Sequence, residues 1–245
     1  MSKEPTPPKI LLPTEEGFVP FTYQGEAYQT YYKVFGSLAG RTATPVLVLH
    51  GGPGLSHDYV LPHADLADHR PVIFYDQIGN GRSTRLPAKP SAFWSVDLFL
   101  TELENLVARL GVQDAFHVVG HSWGGMMAAE LASRRRAAGL RRLVIANSPA
   151  AYSLWTESLT ALLRAFPEDV TGALARGENA DLKAYREAIM KVYAVHGLRI
   201  QPFPEEFMAT MEYRYGDDAD RTVPNAGCVV RSLVYGLCGL TRVRL

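Results

Sequence analysis

The sequence is poor in the features that would take it out of the ordinary run of globular domains. It has two cysteines, Cys228 and Cys238, both near its C-terminus. Such a pair gives neither a disulfide framework nor metal-ligand spacing, so reduced thiols are expected. Neither charge is in excess, with 25 basic against 25 acidic side chains, and no global field draws the chain to nucleic acid or to an anionic surface. No apolar run approaches the roughly 20 residues that cross a bilayer. The opening stretch M-S-K-E-P-T-P-P-K-I lacks the apolar segment of a secretory signal. The glycine-rich stretches carry no phosphate-loop lysine, and no metal, nucleotide, flavin or other cofactor is expected. These gaps lead to the expectation of a soluble, cytoplasmic protein that acts on a small, roughly neutral molecule, with no nucleic-acid or membrane partner.

What is present suits a single α/β domain with an insertion. The 245 residues are 47% hydrophobic and 20% charged, enough to bury a substantial core. After a proline-rich arm over Met1–Pro13, Phe18–Tyr23 and Tyr28–Phe35 read as an antiparallel pair at a sheet edge. Val46–Leu49 and Pro71–Tyr75 are short apolar runs of the kind found in parallel strands covered on both faces. Asp58–Ala67 is a short helix candidate. Ser95 is placed to cap a helix whose apolar face is Val96, Phe99, Leu100, Leu103, Leu106, Val107 and Leu110, with Gly111 as its stop. Ala115–Val119 and Leu143–Ala146 complete six strands. From Ala150 to about Asp220 the pattern becomes helical, over Ser153–Phe166, Asp181–Val195 and Glu205–Tyr215.

Three motifs stand at strand ends. The central one is V-V-G-H-S-W-G-G-M-M over Val118–Met127, in which Gly120, Ser122 and Gly124 follow a strand and open a helix that runs to about Arg136. A serine at the tip of a strained strand-to-helix turn projects its hydroxyl above the sheet edge. The next backbone N–H, that of Trp123, points to where an oxyanion would form. The second motif is H-G-G-P-G over His50–Gly54. The third is D-Q-I-G-N-G-R-S, with Asp76, Gln77, Gly79, Gly81 and Ser83. Arginines 134, 135, 136, 141 and 142 cluster about a helix end and read as a solvated face.

In the chain order H-G-G-P-G, D-Q-I-G-N-G-R-S and G-H-S-W-G-G, the three motifs resemble the proline iminopeptidase (prolyl aminopeptidase) branch of the α/β-hydrolase fold, over about Phe18–Pro149. The resemblance implies a mostly parallel sheet with helices on both faces and Ser122 as nucleophile, with the N–H groups of Gly52 and Trp123 as oxyanion hole. Residues 1–149 would be the hydrolase core and 150–220 a helical cap whose aromatics roof the site. The substrate would be a small peptide or amide that loses its N-terminal residue, proline among the candidates. Glu205, Glu206 and Glu212 would be the cap acids available to its free amine. A small-molecule esterase or amidase, and an inactive relative that only binds ligand, are the alternatives.

In this fold the triad acid and histidine follow the nucleophile in the chain. His50 is therefore read as a hydrogen-bonded loop histidine and Asp76 as a loop-fixing acceptor. After Ser122 the only histidine is His196, in a cap helix, and Asp217, Asp218 and Asp220 lie in a polar stretch with no strand before them. Residues 221–245 depart from the family pattern, as a shifted reading frame or retained intron near Val223 would produce. The chain is thus expected to be C-terminally truncated and to lack the last strands. The sixth strand would be left with an open apolar edge, against which Cys228–Tyr235 is apolar enough to pair.

Overall fold

The structure is a computed structural model in which residues 12–225 are described. The expected pairing of Cys228–Tyr235, both cysteines and nearly all of the N-terminal arm lie outside the described residues.

Six strands form one sheet: β1 (Glu15–Tyr23), β2 (Glu26–Phe35), β3 (Val46–Leu49), β4 (Val72–Tyr75), β5 (Phe116–His121) and β6 (Leu140–Ala146), in the spatial order β1-β2-β4-β3-β5-β6. β1 and β2 are an antiparallel hairpin in register Tyr23↔Glu26. It turns through Gln24 and Gly25, both at positive φ, as a two-residue hairpin turn requires. β2 runs antiparallel to β4, and the remaining pairs are parallel. Every side chain of β3 and β4 is buried, because helices cover both faces of a parallel sheet and leave no polar side to alternate with.

Helix α1 (Val96–Arg109) is the crossover into β5. Ser95 Oγ accepts the Leu98 N–H at 3.2 Å, and Gly111 at φ 65° ends the segment. Its Leu98, Phe99, Leu100, Leu103 and Leu106 are wholly buried, each contributing about 1.5–3 kcal/mol through lost apolar exposure. The same helix buries Glu102, which its apolar pattern did not foretell. Asp58–Asp68 forms a 3₁₀ segment instead of an α-helix, with Pro62, which has no N–H to offer, inside it. Helix α2 (Trp123–Glu130) continues as a wider π turn over Leu131–Arg135 and ends at Arg136 in the left-handed conformation. The arginines there are largely paired outward: Arg134 meets Glu130 and Asp97, and Arg135 meets Asp97.

The segment after β6, expected as the cap, holds four α-helices before residue 220: α3 (Tyr152–Leu163), α4 (Glu168–Arg176), α5 (Leu182–Val192), which continues as a π turn over Tyr193–Gly197, and α6 (Glu205–Tyr215). α4 was not expected, since Val170, Thr171 and Gly172 obscure its helical pattern; Pro167 followed by Glu168 and Asp169 was the legible start signal. α4 and α5 share a small core of Val170, Ala173, Ala188 and Val192. α6 is the helix that joins cap to core. Its Phe207, Met211 and Tyr215 pack with Leu55 and Tyr59, and Thr210 Oγ1 accepts the Ser56 N–H at 2.7 Å. The chain then returns to the core, where Val223 is buried beside Trp94. Among the described residues β6 pairs only with β5, and its Val144 and Ile145 are about half exposed (53% and 50%).

Candidate active site

Ser122 sits between β5 and α2 with φ 53° and ψ −119°, a combination that costs about 1–3 kcal/mol in a side-chain-bearing residue. The surroundings enforce it. The Ser122 N–H donates to Ala146 O at 2.9 Å, and the Ser122 carbonyl accepts from Ser148 Oγ at 2.7 Å and from the N–H groups of Gly125 and Met126. The flanking glycines are required by contact. A Cβ at Gly120 would stand 2.4 Å from Gly124 O, and one at Gly124 would stand 2.3 Å from Leu49 O. One at Gly125 would stand 1.9 Å from Ser148 Oγ, a residue that the motif alone did not mark. The turn leaves Ser122 partly exposed, with no hydrogen-bond partner for its hydroxyl among the described residues.

The H-G-G-P-G turn lies against it. A Cβ on Gly51 would be 3.0 Å from Ser122 Cβ, and Gly52 adopts φ 116°, where a Cβ would meet Gly54 N at 2.6 Å. The Gly51 N–H is taken by the Tyr59 hydroxyl at 2.7 Å. The N–H groups of Gly52 and of Trp123, in the first turn of α2, donate to no acceptor among the described residues. Unpaired N–H groups at a helix start are ready to meet negative charge.

One side chain ties the three motifs together. The Gln77 N–H donates to His50 Nε2 at 3.1 Å, its amide donates to His50 O at 3.1 Å, and its Oε1 accepts Trp123 Nε1–H at 2.8 Å. His50 Nδ1 faces Gly51 O at 2.8 Å. Since Nε2 accepts, Nδ1 carries the proton and donates. Burial holds this imidazole below its ordinary pKa, so His50 is a neutral structural residue. Asp76 accepts the His57 N–H (2.7 Å), His57 Nδ1 (2.9 Å) and the Arg82 N–H (2.9 Å). Burial pushes its carboxyl up, but the His57 ring and these donors outweigh it and leave the acid well below the usual carboxylate range. Gly81 is required here too, because a Cβ would stand 2.3 Å from Asp76 Oδ2.

Among the described residues no histidine or carboxylate bonds to Ser122. His196 lies in the cap with its ring edge-on to Phe166 at 5.7 Å. Asp220 accepts the Leu86 N–H at 2.7 Å and the Thr222 N–H at 2.9 Å, fastening the end of the cap to the core. Glu205 and Glu206 stand exposed in the first turn of α6, and Glu212 pairs with Arg186 at 3.0 Å. The acid that the cap does bury is Glu178, 2.8 Å from Arg214 with both side chains about nine-tenths covered. Most of the cap aromatics serve packing: Phe203, Phe207, Tyr185, Tyr193 and Tyr215 are in one cluster and Phe166 in another, while Trp155 is 44% exposed. Among the described residues no helix is long and apolar enough to cross a membrane.

A family model described as the alpha/beta hydrolase fold matches residues 44–225. A proline iminopeptidase of Clostridium botulinum is 34% identical over 177 residues, 71% of this chain and 58% of that protein. The chain therefore spans less than two thirds of this curated relative's length. Among solved structures, VinJ superposes with a TM-score of 0.78 at 42% identity, over 87% of this chain and 70% of that one. The proline iminopeptidase of Mycobacterium smegmatis does so with 0.68 at 38% identity, over 86% and 69%.

Proposed function

Since the chain belongs to the α/β-hydrolase family, in its proline iminopeptidase branch, we propose that it is a serine hydrolase of the aminopeptidase type, directed at small peptides or amides with a free N-terminal residue. The observation that carries this reading is Ser122 itself, a strained residue whose hydroxyl is unbonded among the described residues, at the C-terminal end of a parallel strand, where open α/β sheets place their ligands. Ser122 Oγ attacks the substrate carbonyl, and the N–H groups of Gly52 and Trp123 receive the developing oxyanion. The leaving group departs with a proton, and water then releases the acyl group. The similarity of the relatives supports the preference for an N-terminal residue.

Among the described residues no base takes the serine proton. The reading predicts turnover that depends on Ser122. The test is hydrolysis of amino-acyl 4-nitrophenyl esters and anilides, each with its N-acetylated counterpart. The free amine should be preferred, and Ser122→Ala should abolish the rate. Equal rates on acetylated substrates would favour the esterase reading. That Ser122 has no base among the described residues also favours a second one, a protein that binds such ligands without turnover; tight binding with no Ser122-dependent rate would establish it.

A further inference from the structure

The glycine turn beside Ser122 is held by a side chain that the hydrolase reading leaves without a role. Tyr59, in the 3₁₀ segment, packs its ring against Phe207, Met211 and Tyr215 of the cap-to-core cluster. Its hydroxyl accepts the Gly51 N–H at 2.7 Å and lies 2.7 Å from Nδ1 of His121, the residue before the serine. A backbone N–H can only donate, so the hydroxyl accepts from Gly51 and gives its own proton to His121 Nδ1. The two rings meet edge-on at 5.4 Å.

The four residues converge on one point. A Cβ placed on Gly51 would stand 2.8 Å from the Tyr59 hydroxyl, 3.0 Å from Ser122 Cβ and 3.3 Å from His121 Nδ1. Without the Tyr59 hydroxyl bond the turn would be free to swing, because glycine resists rotation least of all residues. Both partners stay in the forms that the bond needs: burial, then His63, disfavours charge on His121, and burial holds the Tyr59 phenol protonated.

We propose that Tyr59 and His121 are positioning residues that brace the Gly51–Gly52 turn against Ser122 and so fix where the Gly52 N–H points. This rests on the reading of Ser122 as nucleophile and Gly52 as oxyanion donor. A donor helps only when it lies within hydrogen-bond reach of the oxyanion rather than of the ground-state carbonyl. Loosening the brace should therefore act on kcat and leave KM nearly alone.

The experiment is steady-state hydrolysis of an amino-acyl 4-nitrophenyl ester by the full chain, with thermal unfolding of each variant as a control. Loss of a whole oxyanion donor costs about 10²–10³-fold. Tyr59→Phe, which acts one step away, should lower kcat about tenfold with KM within about twofold of wild type. His121→Leu should do the same. The double variant should be no worse than Tyr59→Phe alone, because that change already removes the hydroxyl that His121 anchors. His121→Asn, whose amide oxygen can accept the tyrosine proton, should recover part of the loss. A wild-type rate that survives Ser122→Ala would overturn the hydrolase reading and this assignment with it. A Ser122-dependent rate with kcat unchanged in both Tyr59→Phe and His121→Leu, or with losses that simply add, would overturn the brace alone.

Discussion

At the level of single residues the elbow is a matter of van der Waals contact. Gly124 passes so close to β3 that its added Cβ would meet Leu49 O at 2.3 Å, and backbone cannot move aside as a flexible side chain can. Gly124→Ala should lower stability by about 1–3 kcal/mol, the usual cost of overpacking, as measured by urea denaturation. Gly177, after α4 at positive φ with open space around it, is a different case: conformational strain is its only cost on substitution. The elbow glycines, Ser122, His50 and Asp76 were legible in the sequence because each stands in a motif at the end of an apolar run. Gln77 was within a motif but its part as the link between His50 and Trp123 was not, since a hydrogen bond between residues 46 positions apart leaves no local pattern. Tyr59 and Ser148 carried no signal at all.

At the level of elements, two buried polar contacts decide how pieces meet. Glu102 of α1 faces the sheet, accepting Thr30 Oγ1 at 2.6 Å and the Ile78 N–H at 2.9 Å. Burial pushes its pKa up to about 8. An unfolded glutamate titrates near 4.5, so between these values the folded chain holds a proton that the unfolded chain has lost. Stability therefore falls as pH rises from about 4.5 to about 8. Glu102→Gln, which keeps an acceptor and cannot ionise, should flatten that part of the profile in denaturation curves taken across the range. The second contact joins cap to core. Thr210 of α6 bonds to Ser56 through both the Ser56 N–H (2.7 Å) and Oγ (2.9 Å), and Ser56 Oγ donates to Asp58. Thr210→Val leaves the buried Ser56 N–H without an acceptor and should cost about 1–3 kcal/mol. If α6 were only loosely docked, the variant would unfold at the wild-type urea midpoint.

The strands were easier to read than the cap helices for a physical reason. β3 and β4 are uniformly apolar because both of their faces are covered, and a four-residue run bounded by Pro45 or Pro71 has few other readings. The cap packs in two small clusters, so only part of each helix needs to be apolar and the stripe is weak. α4 shows the consequence, with only Val170 and Ala173 fully buried along nine residues.

For the molecule as a whole, the sheet, the crossover helix and the three motif loops converge on Ser122, while the cap is fastened over the same edge through α6 and Asp220. The most direct measurement is reaction of the full chain with a serine-directed phosphonate, followed by peptide mass mapping. One adduct is expected, on Ser122 and absent in Ser122→Ala. No adduct, or an adduct on another residue that persists in Ser122→Ala, would contradict the assignment of Ser122 as the nucleophile.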